Sequence, residues 1–346
     1  MSTSGSGQIG RASCYRLHNG ATALAAALSI LGSGGPAAAA KIVTIEIGTQ
    51  HYTTAYGINA DGSITGGYDN PTLGFVRAAD GTVTTFNPTG SKETYGMGIN
   101  RKGVITGYWW DGGAGITHGF LRTAGGNIKT FDPEGSAYTW PLRINDAGTI
   151  AGEYEDSNYV WHGFVRSADG TITAFDPDGS TGTQSYAINA AGAICGFYTD
   201  ANDAYHGFVR APDGTITTFQ VSGMDTVPSG INDSGTVTGG YGDLKGVHGH
   251  GFVRTSDGTI TSFDAADNVS TLPQVVNDKG MIAGGYIDSR GYRHGFVRSA
   301  NGKITSFDPP KSTETQVWDI NDGGAIMGWY WPGLKGRATR GFVRTP

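Results

Sequence analysis

One line of sequence is written seven times. Gly-Phe-(Val/Leu)-Arg begins at Gly74, Gly119, Gly163, Gly207, Gly251, Gly295 and Gly341, at spacings of 45, 44, 44, 44, 44 and 46 residues. A second signature, (Ile/Val)-Asn-x-x-Gly, interleaves with it, its asparagines being Asn59, Asn100, Asn145, Asn189, Asn232, Asn277 and Asn321. A fixed period of this length means one supersecondary unit repeated. It overrides the two-domain expectation that 346 residues would otherwise carry.

Each unit holds four short strand signals. In the fourth, "YAI" ends at Ile188, the turn "NAAG" follows, "AICGFY" runs to Tyr198, a longer loop leads to "GFVR", and Asp213-Gly214 leads to "TITTF". Asp-Gly between apolar runs marks a tight hairpin, because both residues tolerate positive φ. The strands therefore pair in chain order. Phe and Val of GFVR point to opposite faces, and both are apolar, so the sheet is expected to be buried on both faces.

The seventh unit lacks its last strand, since the sequence given stops just after GFVR. The missing piece lies at the other end: in "KIVTIEI", Lys41 to Ile47, Ile45 stands 14 residues before Asn59, the offset that Phe131, Phe175, Phe263 and Phe307 keep to their next asparagines. The expectation is an all-β chain, a seven-bladed β-propeller of four-stranded blades, with strand 41–47 completing the last blade and closing the ring. An open β-solenoid would need capping units, and none is visible.

Residues 1–40 are different in kind. Arg11 and Arg16 precede the apolar stretch "ATALAAALSILGSGGPAAAA" with an A-x-A site at Ala38 and Ala40. This reads as a signal peptide, with a single domain over 41–346 secreted or held in the periplasm. The formal charge of −6 becomes −8 without the leader, which argues against nucleic acid as a partner. Membrane insertion is not expected, because the apolar stretch is short and broken by glycine. Cys195 alone remains after the leader, so no intrachain disulfide is expected.

The repeat resembles the HAF-type extracellular repeat, written around "IN-x-x-G-x-(I/V)-x-G" and "H-(A/G)-F". Here the match is "INDAGTIAG" from Ile144 and "HGFVR" from His162, and it covers essentially all of 41–346. Unit one departs with Leu73 and unit seven with Arg340 where histidine is expected. The resemblance implies export and a β-repeat fold, and no defined chemistry.

Residues present in most units are expected to be scaffold. His118, His162, His206, His250 and His294 fall in separate blades, too far apart to converge on one ion. They are read as packing histidines, with no metal and no cofactor. The GFVR arginines are expected to pair with carboxylates such as Asp176 or Asp308, and the repeated asparagine to make the turn. "DPDG" from Asp176 lacks the acids of a calcium loop.

A site should lie where the repeat is broken, on the face carrying the long connections. All seven tryptophans fall in units two, three and seven. Trp109, Trp110, Trp329 and Trp331, with Asp69 in the short loop of unit one, are the candidate ligand-binding residues. Arg143 and Asp319 replace the small residue two before the asparagine and are expected across an axial channel. The first expectation is a non-catalytic monomer that binds an extracellular glycan or a protein surface. The alternative is a lyase or hydrolase acting on a polysaccharide or lactone at the axial end of the same face. It would draw on Asp111, Glu153, Glu155, Asp319, Arg143 or His51.

Overall fold

A computed structural model describes residues 40–48, 52–113, 115–243, 248–265, 268–333 and 338–346. Among them are 28 β-strands. They form four-stranded antiparallel sheets, paired in chain order except in the last, which we number one to seven after the repeat units. Sheet four shows the pattern: Gly182–Ile188, Ile194–Thr199, Tyr205–Arg210 and Ile216–Phe219. Sheets two and three are joined into one eight-stranded sheet by a single parallel bridge between Tyr138 and Thr117. Among the described residues no helix is long and apolar enough to cross a membrane. The expected leader, residues 1–40, lies outside the described residues, apart from Ala40.

Sheet seven is Glu314–Ile320, Ile326–Trp331 and Arg340–Thr345, and its fourth strand is Lys41–Ile45 from the other end of the chain. The register runs from Lys41 opposite Thr345 to Ile45 opposite Gly341. Ile45 thereby takes the place that Phe131 takes opposite Gly119.

The repeated residues show why each is repeated. The GFVR phenylalanines, Phe75, Phe120, Phe164, Phe208, Phe252, Phe296 and Phe342, are fully buried. From sheet two onward each meets the last-strand phenylalanine of the preceding sheet edge-to-face, as Phe164 meets Phe131 at 6.2 Å. The arginines correct the expectation. Arg166 lies over the Phe131 ring at 4.8 Å, and Arg122, Arg210, Arg254, Arg298 and Arg344 do the same over Phe86, Phe175, Phe219, Phe263 and Phe307. A guanidinium gains from an aromatic face, and here it does so while largely buried, as at Arg122, Arg166 and Arg210.

The carboxylates assigned to those arginines belong to the histidines instead. His118, His162 and His294 meet Asp132, Asp176 and Asp308 through Nδ1 at 2.7, 2.7 and 2.6 Å, and His250 meets Asp264 at 3.0 Å. Each pair clips the third strand of a sheet to the residue just after its fourth. Sheet four has Gln220 in place of the aspartate, and His206 turns its Nε2 to Asp200 at 3.0 Å.

The asparagines do more than make turns. Each Oδ1 caps its own turn, as Asn145 accepts from Thr149 N. Each Nδ2 donates to the backbone carbonyl of the next asparagine at 3.0–3.1 Å: Asn59 to Asn100, then Asn145, Asn189, Asn232, Asn277 and Asn321. Asn321 donates to Asn59 at 3.1 Å, so the bonds form a circuit.

Candidate functional site

The first strand of every sheet carries a bulge three residues before its asparagine, between Pro141 and Arg143 in sheet three and between Val317 and Asp319 in sheet seven. A bulge re-aims the side chain beside it. Arg143 uses this to reach three other sheets: Nη1 donates to Tyr56 O and Met97 O, both at 3.2 Å, and Nη2 to Trp318 O at 3.1 Å. Asp319 accepts from Ile58 N at 3.0 Å and from its neighbour Ile320 N at 2.9 Å. Burial pushes its carboxyl up, and the Arg143 charge opposes this. The structure thus brings these two residues together in the wall of one cavity of about 240 Å³. That wall is built from the IN-x-x-G turns and the asparagine circuit, on the side away from the long connections, and it includes neither a histidine nor a glutamate.

The tryptophans divide by strand alternation. Trp109 stacks on His118 at 4.5 Å and packs against the Phe86–Phe120 cluster, and its Nε1 is buried without a partner. It is a packing residue. Trp110, its neighbour, points to the other face, opposite Glu93 and Thr117. In sheet seven, Trp329 and Trp331 share a face with ring centroids 6.0 Å apart, and Trp331 is 38% exposed. Tyr330 between them is buried on the opposite face and bonds Thr44 Oγ1 at 3.0 Å. Glu314 sits opposite Trp331, its carboxyl pushed up by burial against the lowering effect of Arg293.

The acids of the long loops are engaged locally. Asp111 Oδ1 accepts from Gly113 N and Ile116 N at 3.2 and 3.3 Å, as Asp156 does from Asn158 N and Val160 N and Asp200 from Asn202 N and Ala204 N. These are loop-closing Asx turns. Asp69 has φ +59°, and its carboxylate lies against Gly48, where an added Cβ would come within 2.2 Å of it. His51 lies outside the described residues.

Sheet three holds a ring stack that sequence reasoning did not place, beside Glu153 and Glu155, which it did name. Tyr138, Trp140 and Trp161 form one stack, with centroids 5.5 and 4.7 Å apart and interplanar angles of 16° and 22°. Cross-strand pairing puts Glu153 opposite Trp140, and Glu155 between Tyr138 and Trp161. Glu153 is 8% exposed and its Oε2 has no hydrogen-bond partner. Burial pushes its carboxyl up to about 8, so it holds its proton at neutral pH. Glu155, half-buried, is raised by burial and by Asp156 beside it. The tryptophan count pointed to this unit, but only the register makes the aromatic and acidic residues cross-strand partners.

No protein-family model matches the chain, and no curated protein matches it. Solved structures do. Virginiamycin B lyase from Staphylococcus aureus superposes with a TM-score of 0.62 at 16% identity, over 89% of this chain and 99% of that one. A streptogramin B lyase structure gives 0.60 at 14%, over 89% and 98%. A puromycin hydrolase gives 0.58 at 11%, over 81% of this chain and 50% of that one. These neighbours are β-propeller proteins. At such identities the likeness shows the fold alone.

Proposed function

We propose that the chain is a closed, seven-bladed propeller of the HAF-repeat type, exported by its leader, that binds an extracellular polysaccharide without altering it. The asparagine circuit and the strand Lys41–Ile45 in sheet seven support closure. The observation that carries the binding reading is Trp331: an indole left partly open to solvent, beside Trp329 and opposite Glu314. Aromatic faces take the apolar faces of sugar rings, and neighbouring carboxylates take their hydroxyls. The experiment is retention on a panel of insoluble polysaccharides. Trp331→Ala should lose retention with its melting temperature unchanged; a variant retained as well as the parent would remove the reading.

A second reading, cleavage of the bound polymer, is favoured by Glu153 and Glu155. They are two carboxyls, two residues apart, in unequal surroundings. Release of new reducing ends from the same panel would support it. The Arg143–Asp319 cavity is not part of this reading: its wall holds neither histidine nor glutamate, and its further acids are the turn aspartates Asp146, Asp233, Asp278 and Asp322.

A further inference from the structure

The register continues across the bridge between sheets two and three. Glu93 pairs with Trp110, Trp110 with Thr117, Thr117 is bridged to Tyr138, Tyr138 pairs with Glu155, and Glu155 with Trp161. Six strands bring these six residues to one level, spanning roughly 24 Å at about 4.8 Å per strand. All six are half-buried, so none is closed off as core. The aromatics fall on alternate strands, roughly 10 Å apart, with a hydroxyl or an acid between them. No cation lies among the six. One pair inward, Trp140 and Glu153 lie on the same face as Tyr138, Glu155 and Trp161.

We propose that this level is a track for an extended, uncharged polysaccharide crossing sheets two and three, with Glu153 donating a hydrogen bond to a sugar hydroxyl at the sheet-three end. This rests on the polysaccharide-binding reading above and adds a second stretch of polymer contact to the one at Trp331. Alternation of ring and polar group suits a chain of sugar rings, each with an apolar face and a hydroxyl edge. Two carboxylates and no cation on the level select against a polyanion. Glu153 is the second, independent mark of a ligand. Its buried Oε2 has no partner in the protein, and leaving such a group unmade is costly. The groups around it are Trp140, Glu155 and the Ser185 N–H, which lowers its pKa against the larger effect of burial; no cation faces it. A carboxyl that keeps its proton is a donor, and Glu155 beside it is an acceptor once ionised.

The test is native affinity electrophoresis in soluble neutral β-glucan, galactomannan and, separately, polygalacturonate. One neutral polymer should retard the protein at pH 6. Trp161→Ala should weaken that retardation roughly fivefold or more. Glu153→Gln keeps a donor and should keep binding, whereas Glu153→Leu should lose it. Parent retardation should fall above pH 8, and that of Glu153→Gln should not, a readout that stands even if Trp161→Ala folds poorly. Retardation by polygalacturonate alone, or a Glu153→Leu protein retarded like the parent, overturns the track. If Trp331→Ala abolishes retardation while Trp161→Ala and Glu153→Leu leave it intact, the track fails and polysaccharide binding stands. No retardation in any neutral polymer removes both.

Discussion

Arg340 Nε lies 2.9 Å from Glu46 Oε1. These two residues stand where sheets two, three, five and six have a histidine and an aspartate. The N–H is not aimed along the contact, so the pair is ionic rather than a formed hydrogen bond. In sheet one the same two positions are Leu73 and Asn87, and neither carries charge. The clip is therefore replaced at both positions in the two sheets that lack the histidine, while sheet four changes only the aspartate. In sheet seven its halves come from opposite ends of the chain.

Glu46→Gln should cost little, about 0.2–1 kcal/mol, because both partners are partly exposed. Deleting residues 41–47 should do far more, since it strips a whole strand from sheet seven and bares an edge. Urea unfolding measures both. A truncated protein with the parent's midpoint and slope would sink the pairing as a source of cooperativity.

Asn100→Ala should cost about 1–3 kcal/mol, because it removes a turn cap and leaves the Asn145 carbonyl and the Lys102 and Val104 N–H groups short of a partner. Asn189→Ala should behave alike, breaking the equivalent links two sheets further round. Equilibrium denaturation of the two variants checks the size and the equivalence.

Trp109→Ala and Trp331→Ala should separate cleanly. The first empties a packed site and should destabilise by about 3–5 kcal/mol. The second removes a ring already partly in water and should leave the melting temperature within a degree or two of the parent. Calorimetry of the pair distinguishes packing from contact surface.

Stability should decline as pH rises from the mid-acid range to about 8. The sign follows from the pKa directions. Glu153 ionises near its ordinary 4.5 when unfolded but only at about 8 when folded, so the folded state holds a proton the unfolded chain has lost, and it loses ground throughout that interval. The amount is on the order of 3–5 kcal/mol. His294 acts in the same direction: Asp308 and Asp288 raise its pKa against burial, so its clip is strongest when protonated and is lost as pH passes its folded value. Thermal melts across pH 4.5–8.5 should show the decline, and Glu153→Gln should flatten it.

Arg143→Met should destabilise by about 3–5 kcal/mol, because it strips the partner from three carbonyls in three sheets and leaves Asp319 without its balancing charge. Pairing it with Asp319→Asn should recover part of the loss, which a double-mutant cycle reads directly.

Much of the fold was legible because it is periodic. The spacing of Gly119 from Gly163 or of Asn145 from Asn189 needs no knowledge of contacts. The jobs of the repeated side chains were harder. A sequence shows that Arg166 and Asp176 recur together, but only geometry shows that the aspartate reaches His162 and the guanidinium lies over Phe131. The site was the least legible part. Asp111 is acidic and near the tryptophans, yet its oxygen is spent on its own loop. Arg143 and Asp319 do line one cavity, but it lies among the IN-x-x-G turns rather than among the long connections. Glu153 and Trp140 lie 13 positions apart in sequence and are cross-strand partners in space.

The asparagine circuit also bears on how such a chain can change over generations. A linear array gains or loses units at its ends, where a new copy needs only one neighbour. A circuit in which each side-chain amide donates a hydrogen bond to the next asparagine's carbonyl, and the last to the first, has no end. Inserting one 44-residue copy would force all the existing links to open to a wider turn before any could re-form. Copy number here is thus tied to the geometry of one hydrogen bond repeated around the loop, and the units differ instead at single positions such as Arg143 and Asp319.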